Sequence, residues 1–432
     1  MTKHFLSGLH MPRTSTLTCH TATPATFCPC GGTHGLSLSR RGLLGGSLAA
    51  ALTGAVGPAF AATSSDAPSG VATGTPEKTA LKIGFVPISC AAPLIMAHAK
   101  GFFHDEGLTV ELQKTAGWAL IRDNLLNGTF DASHLLSPMP LALSLGAGHA
   151  PTPVRAVTMQ NTNGQAIVLA LKHQNRRDPR DWKGMTFAIP FEFSMHNFLL
   201  RAYLAHYGLN PDQDVTLRVT APPEMVANLK AGNIDGFIGP DPFNQRAVTE
   251  QAGFLHILSS QIWDGHPCCA LGMTENFIHT HPNTYSAVQR AMIRAAAYMQ
   301  QTENRQEAAT ILARAEYLNQ PEIVIRQGLT GHYADGLGAV RNVPSRLGFN
   351  PFPYYSPALW MIAQMKRWGY LNTPVDARRV AEEVFMLKDV RRQAAALALP
   401  DLTPPYASDY PPIQVLGTAF DPATTFAENR TR

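Results

Sequence analysis

The sequence predicts an α/β protein of two lobes, each a mainly parallel sheet flanked by helices, with a helical C-terminal part on the first lobe. Three observations predict it: strand and helix patterns alternate from Leu81 onward, the alternation restarts near Thr186, and the chain from Pro282 to Leu399 is mostly helical. A chain of 432 residues, 45% hydrophobic and 15% charged, is long enough for two packed cores and too apolar to be disordered.

Leu81–Val86 is an apolar run of strand length. Pro93–Lys100 reads as a helix with proline at its first position, where a backbone N–H is dispensable, and Gly101 as its stop. Val110–Lys114 is a second strand and Trp118–Asn127 a helix ended by Gly128. The second unit repeats the pattern: strand Thr186–Ile189, helix Met195–Tyr207, strand Val215–Val219, helix Glu224–Ala231 stopped by Gly232, and strand Ile234–Ile238. Amphipathic segments at Tyr285–Thr302, Arg305–Ala315 and Ala377–Leu387 supply the helical part. The first lobe is therefore assigned to residues 80–184 and 266–399, and the second to 185–265. Residues 62–79, rich in Ser, Thr, Gly and Pro, read as a flexible linker; the Pro-rich residues 400–432 read as a tail lying loosely on the surface.

The first 61 residues contain Lys3, Arg13, Arg40 and Arg41 and no acid, so they carry the whole formal charge of +4. The remainder is electrically balanced, which argues against a nucleic-acid partner. Ser39-Arg40-Arg41-Gly42-Leu43-Leu44, an uncharged run to Ala61 and small residues on both sides of Phe60 form the pattern of a twin-arginine signal cut after Ala61. A protein folded before export to a bacterial periplasm is expected. Cys19, Cys28 and Cys30 lie in this leader, where Cys28-Pro-Cys30 with His34 reads either as a short metal-binding sequence or as unstructured chain. Cys90, Cys268 and Cys269 remain beyond it, an odd number for an oxidising compartment. The sequence lacks a Walker loop, a GxSxG and an HExxH motif, so neither transport energy nor hydrolytic chemistry is expected of the chain itself.

In each strand–helix unit the loop after the strand aims a helix N-terminus at the crevice where open α/β sheets bind ligands. Unpaired N–H groups and the positive end of the helix dipole stabilise an anion there. Four loops qualify: Ser89-Cys90-Ala91-Ala92, Ala116-Gly117, Phe193-Ser194 and Ala221-Pro222-Pro223. A small anionic solute is the expected ligand.

Ala91–Ala97, Lys100-Gly-Phe-Phe103 and Glu106-Gly107 resemble the first-lobe signature of the sulfonate, nitrate and thiamine-precursor receptor superfamily. Gly117-Trp118, His134, Pro138-Met-Pro140, Asn163-Gly-Gln165, His196, Pro222-Pro223, Gly239-Pro-Asp-Pro-Phe-Asn244, Gly265-His-Pro267 and Leu271-Gly-Met273 narrow this. They resemble the nitrate- and bicarbonate-binding proteins of ABC importers, over roughly Leu81–Leu399. The resemblance implies the two-lobe periplasmic-binding-protein fold of type II, no catalysis, and a permease and a separate ATPase at the inner membrane as partners. It also implies that the ligand is held by Trp118, Gln165 and His196, with contacts from Ser89 and the Pro222-Pro223 turn. Taken singly, Trp118 reads as a core aromatic and His196 as a surface helix residue; the surrounding motif assigns both to the site.

One segment departs from that family. Nitrate binders carry a lysine, and bicarbonate binders an acidic residue acting with calcium, within the stretch that here reads Pro267-Cys268-Cys269-Ala270. Losing one charge-assisted hydrogen bond costs about 1.5–3 kcal/mol, or about tenfold to somewhat over a hundredfold in affinity. With Cys90 expected to face the same cleft, three readings of Cys90, Cys268 and Cys269 stay open: a neutral wall, a soft metal site, or a reversible disulfide gate. No cofactor is expected beyond such a metal ion. A sensor of the same fold, and an enzyme resembling thiamine-pyrimidine synthases, are the alternative functions. Asp241 reads either as an orienting group for a cation or as the cap of the following helix.

Overall fold

The computed structural model describes residues 72–400 and 402–422. The leader, its cysteines and the signal cut lie outside the described residues, as do residues 62–71 of the expected linker and the last ten of the tail. No helix among the described residues is long and apolar enough to cross a membrane.

Among the described residues two sheets are built from eleven strands, of which ten matter here: Ala80–Phe85 (β1), Thr109–Lys114 (β2), Ala132–Leu136 (β3), Val154–Asn163 (β4), Gln165–Ala170 (β5), Thr186–Ile189 (β6), Thr216–Val219 (β7), Gly236–Pro240 (β8), Gly253–Leu258 (β9) and Pro267–Thr274 (β10). The first sheet runs β2-β1-β3-β10-β4, with the short strand Leu347–Gly348 beyond β4; the second runs β7-β6-β8-β5-β9. In each, the first three strands are parallel and the fourth is antiparallel to both of its neighbours. The two sheets thus share one topology, and each takes its fourth strand from chain arriving from the other: β5 from the end of β4, and β10 after β9. The boundary expected at residue 185 therefore falls at Gly164. Gln165–Ala170 reads locally as more of the first lobe, but its partners are β8 and β9.

Both crossings turn through backbone that favours glycine. Asn163 and Gly164 have φ of 57° and 81°, and Gly265 has 75°. The Asn163 side chain stitches the crossings together, accepting from the Gly265 N–H at 2.9 Å and donating to Asp264 at 2.9 Å.

Seven helices belong to the strand–helix units: Ala92–Ala99 (α1), Phe102–Asp105 (α2), Trp118–Leu126 (α3), Met139–Leu145 (α4), Met195–His206 (α5), Pro222–Lys230 (α6) and Phe243–Thr249 (α7). Ser194 caps α5 by accepting from the Asn197 N–H at 3.0 Å. The C-terminal helices mostly cover the first sheet, with Pro282–Gln300 against α1 and β4. Tyr355–Arg367 also reaches α5; its Trp360 meets Trp263, which follows β9, and Tyr370, just past the helix, accepts from Asn197 of α5. The expected amphipathic helix Ala377–Leu387 is two: Ala377–Val384, and Leu387–Leu397 after a break.

Two segments expected to be loose are docked. Within the supposed linker, Glu77 caps Pro282–Gln300 by accepting from the backbone N–H groups of Asn283 and Thr284 at 3.0 and 2.9 Å. Burial pushes its carboxyl up, but these donors outweigh that and bring it down to about 2. In the tail, Leu402 and Ile413 are buried in the core shared with Trp263 and Tyr354, and the Leu416 N–H reaches the Ile262 carbonyl. Prolines mark this tail as irregular, but its apolar residues are spaced so that they still bury.

Candidate functional site

The loop leaving β1 carries Ser89 and Cys90, and the Ser89 N–H donates to the Asp241 carbonyl at 2.8 Å, tying the exit of β1 to the end of β8. Trp118 opens α3 after Gly117, a helix start with no side-chain cap. Gln165 is the first residue of β5, immediately past the crossing. His196 sits in the first turn of α5, and Cys268 and Cys269 lie at the entry of β10.

Ser89, Cys90, Trp118, Gln165, His196, Cys268 and Cys269 are each at most 1% exposed, and Pro222 is buried too. His196 is thus not the surface residue that its helix position alone suggests. Ser89 Oγ, Trp118 Nε1, both amide atoms of Gln165 and both ring nitrogens of His196 have no hydrogen-bond partner among the described residues. Such groups cost about 1–3 kcal/mol each when left unsatisfied, and native proteins keep few of them.

The structure brings several of these residues together. Cys268 Sγ lies 3.6 Å from both Cys90 Sγ and Cys269 Sγ, and all three are free thiols. Trp118 shares their apolar cluster with Phe191, Met225 and Phe243 of the second lobe, so the cluster spans both sheets. His196 and His266 act electrostatically on Cys268. Gln165 connects through Ser259, whose hydroxyl takes its N–H at 3.3 Å and also meets His266 Nε2 at 2.8 Å. Pro222 starts α6, whose Met225 reaches the cluster, but among the described residues nothing joins Pro222 itself to the thiols. Pro222 and Pro223 have no N–H to offer, which weakens this helix tip as an anion site. Beside this cluster, a crevice of about 230 Å3 opens between Arg122 and Met139 of the first lobe and Phe191–Phe193 of the second.

Burial dominates the titration of the site. It pushes His196 down to about 4, only partly opposed by Cys268, so the ring is neutral at pH 7 and offers one N–H. Burial raises Cys90 and Cys269 well above the ordinary thiol range. It pushes Cys268 the same way, but hydrogen bonds from Cys269 and Cys90 and the two histidines outweigh it, so Cys268 is the first of the three to lose its proton.

Asp241 is not itself the cap residue of α7, which is Pro242, but against the upward push of burial the backbone of Gln245 in the first turn of that helix lowers its carboxyl. It makes a buried bidentate pair with Arg346, at 2.9 and 2.7 Å, and Arg346 also donates to Gln245 at 2.9 Å. Sequence reasoning counted one buried histidine among the family motifs but gave it no part in the site. His134 in β3 is fully buried, has both ring nitrogens unpartnered, is held at about 4 by burial and feels the charge of Cys268. The signal was present: an imidazole in the middle of Ala132–Leu136, a strand buried at every position.

The NMT1-like family's sequence profile matches residues 74–313. The nitrate/nitrite-binding protein NrtA of Nostoc is 32% identical over 357 residues, covering 77% of this chain and 80% of its own. The nitrate import ATP-binding protein NrtC of Synechocystis is 35% identical over 71% of this chain; the chain spans 49% of that longer relative. The crystal structure of the periplasmic nitrate-binding protein NrtA from Synechocystis superposes with a TM-score of 0.78 at 28% identity, over 83% of this chain and 99% of that one. The chain belongs to the NMT1-like family, as a relative of the nitrate/nitrite-binding proteins.

Proposed function

We propose that the protein is the periplasmic solute receptor of an ABC importer, exported by the twin-arginine route, and that it captures a small oxyanion of the nitrate, nitrite, bicarbonate or cyanate kind between its lobes. It hands the solute to a permease with a separate ATPase and catalyses no reaction. The observation that carries this reading is the set of buried polar groups without partners, Ser89 Oγ, Trp118 Nε1, the Gln165 amide and the His196 ring, in a chain whose relatives are named for nitrate. All four can donate to an oxyanion; Gln165 opens β5 at a lobe crossing, Trp118 opens a helix without a side-chain cap, and His196 lies in the first turn of α5. Binding favours the closed lobes because the ligand gains contacts from both.

Calorimetry with nitrate, nitrite, bicarbonate and cyanate on the metal-free protein tests the proposal. One of these is expected to bind at a single site, with affinity lost in Gln165→Leu and His196→Leu while both variants stay folded. Absence of heat for every anion, together with no anion released on denaturing the freshly purified protein, rejects it.

A further inference from the structure

Three sulfurs from two separate stretches of chain meet in this interior, and the backbone is deformed where two of them are placed. In a regular strand Cys268 and Cys269 point to opposite faces. Here the β10–β4 register shifts on both sides of Cys269, and the two Sγ atoms lie 3.6 Å apart on one side. A bulge that re-aims a side chain in this manner is characteristic of sites rather than of plain core. Cys90 arrives from the β1 exit loop, and all three sulfurs lie within 4.8 Å of one another, fully buried and unbonded.

We infer that Cys90, Cys268 and Cys269 form a three-sulfur binding site for a soft d10 metal cation, its fourth position left to an exogenous donor. Tetrahedral zinc with Zn–S bonds of ~2.3 Å sets S···S edges of ~3.8 Å, and the observed separations of 3.6 Å from Cys268 need only small adjustment. Thiolate donors select zinc or Cu(I) over the hard cations that carboxylates hold. Each thiol gives up its proton on ligation, so loading releases protons and needs no oxidant or reductant. The burial of all three sulfurs requires the lobes to part before the ion enters. The site is independent of oxyanion capture, since it rests on the sulfurs alone.

The test uses the full chain with Cys28→Ser and Cys30→Ser, which removes the leader's own thiol pair, purified reduced and metal-free. Zn2+ is titrated against a chromophoric chelator in one arm and Cu(I) under anaerobic conditions in the other. One equivalent is expected in at least one arm, and Co2+ substitution is expected to give a sulfur-to-metal charge-transfer band. Cys268→Ser is expected to lower affinity by more than the roughly 10- to 100-fold that outer-shell changes cost. Alkylation followed by mass spectrometry supplies a readout that needs no change in the site: bound metal is expected to protect Cys90, Cys268 and Cys269 in the partly unfolded chain. Binding of neither metal above the level of the Cys268→Ser protein, or metal that protects none of the three thiols, overturns the inference. Nitrate calorimetry on the same preparation separates the two ideas. A chain that binds nitrate and no metal removes only the thiol site, and one that binds metal and no oxyanion removes only the receptor reading.

Discussion

Arg346→Met separates the electrostatic tie between the lobes from simple packing. Arg346 and Asp241 are about 1% exposed at the side chain, the guanidinium meets both carboxylate oxygens, and Tyr333 covers it at 4.2 Å. Methionine keeps much of the volume but leaves a buried carboxylate without its counter-ion, which costs about 3–5 kcal/mol, a large share of the roughly 5–15 kcal/mol by which proteins are stable. The sign of the pH dependence follows from the carboxyl. Burial already pushes Asp241 up and Arg346 opposes that push; without the guanidinium the folded-state value rises further above the unfolded one. A raised acid favours the folded state at low pH and loses that contribution as pH climbs through the folded value. The deficit relative to wild type is therefore largest near about pH 8 and narrows towards about pH 5. Urea unfolding followed by circular dichroism at both pH values measures it, and adding Asp241→Asn to Arg346→Met is expected to recover more than half of the loss. A deficit under about 1 kcal/mol at neutral pH, or one that does not change with pH, refutes the reasoning.

Trp118→Phe removes an indole N–H that has no partner among the described residues. The ligand-free chain is expected to keep its melting temperature within a few degrees while anion affinity drops by about tenfold to a hundredfold, read by paired melting and calorimetry. Glu77→Ala removes a helix cap worth about 0.5–2 kcal/mol. The loss is present at neutral pH and disappears as pH falls from the ordinary carboxylate value towards about 2, which urea unfolding across an acid series checks. His134 and His196 are both held by burial at about 4, below their unfolded value, so their contribution is complete above about pH 6.5 and is lost as pH falls towards 4. An anion bound beside His196 raises it again, so nitrate binding below pH 6.5 is expected to take up protons, seen as a dependence of calorimetric heat on the buffer's ionisation enthalpy.

Strands and helices that carry their own signals were legible. Thr186–Ile189 matches to the residue, and the helix starts at Trp118 and Met195 were visible from Gly117 and Ser194. What escaped depends on partners far along the chain. Gln165–Ala170 looks like a continuation of β4 until β8 and β9 claim it. Glu77 is one acid in a Ser- and Pro-rich stretch until Asn283 and Thr284 present their N–H groups. Trp118, Gln165 and His196 were selected by motif; their complete burial without partners is a property of packing that no spacing reveals. Cys268 and Cys269, as neighbours in a strand, gave no hint of sharing a side, because the register shift that aligns them arises only against β4.

The exchange of fourth strands between the sheets governs how the chain can assemble. During synthesis the first sheet lacks its own middle until β10 emerges, after the whole second sheet has been made, and β5 waits for β8 and β9 in turn. Pairings of such long sequence separation are slow to form and expose strand edges meanwhile. Neither half is therefore expected to fold when expressed alone. A circular permutant opened at Asn163–Gly164 would lose one of the two covalent straps about which the lobes swing, turning a double hinge into a single tether.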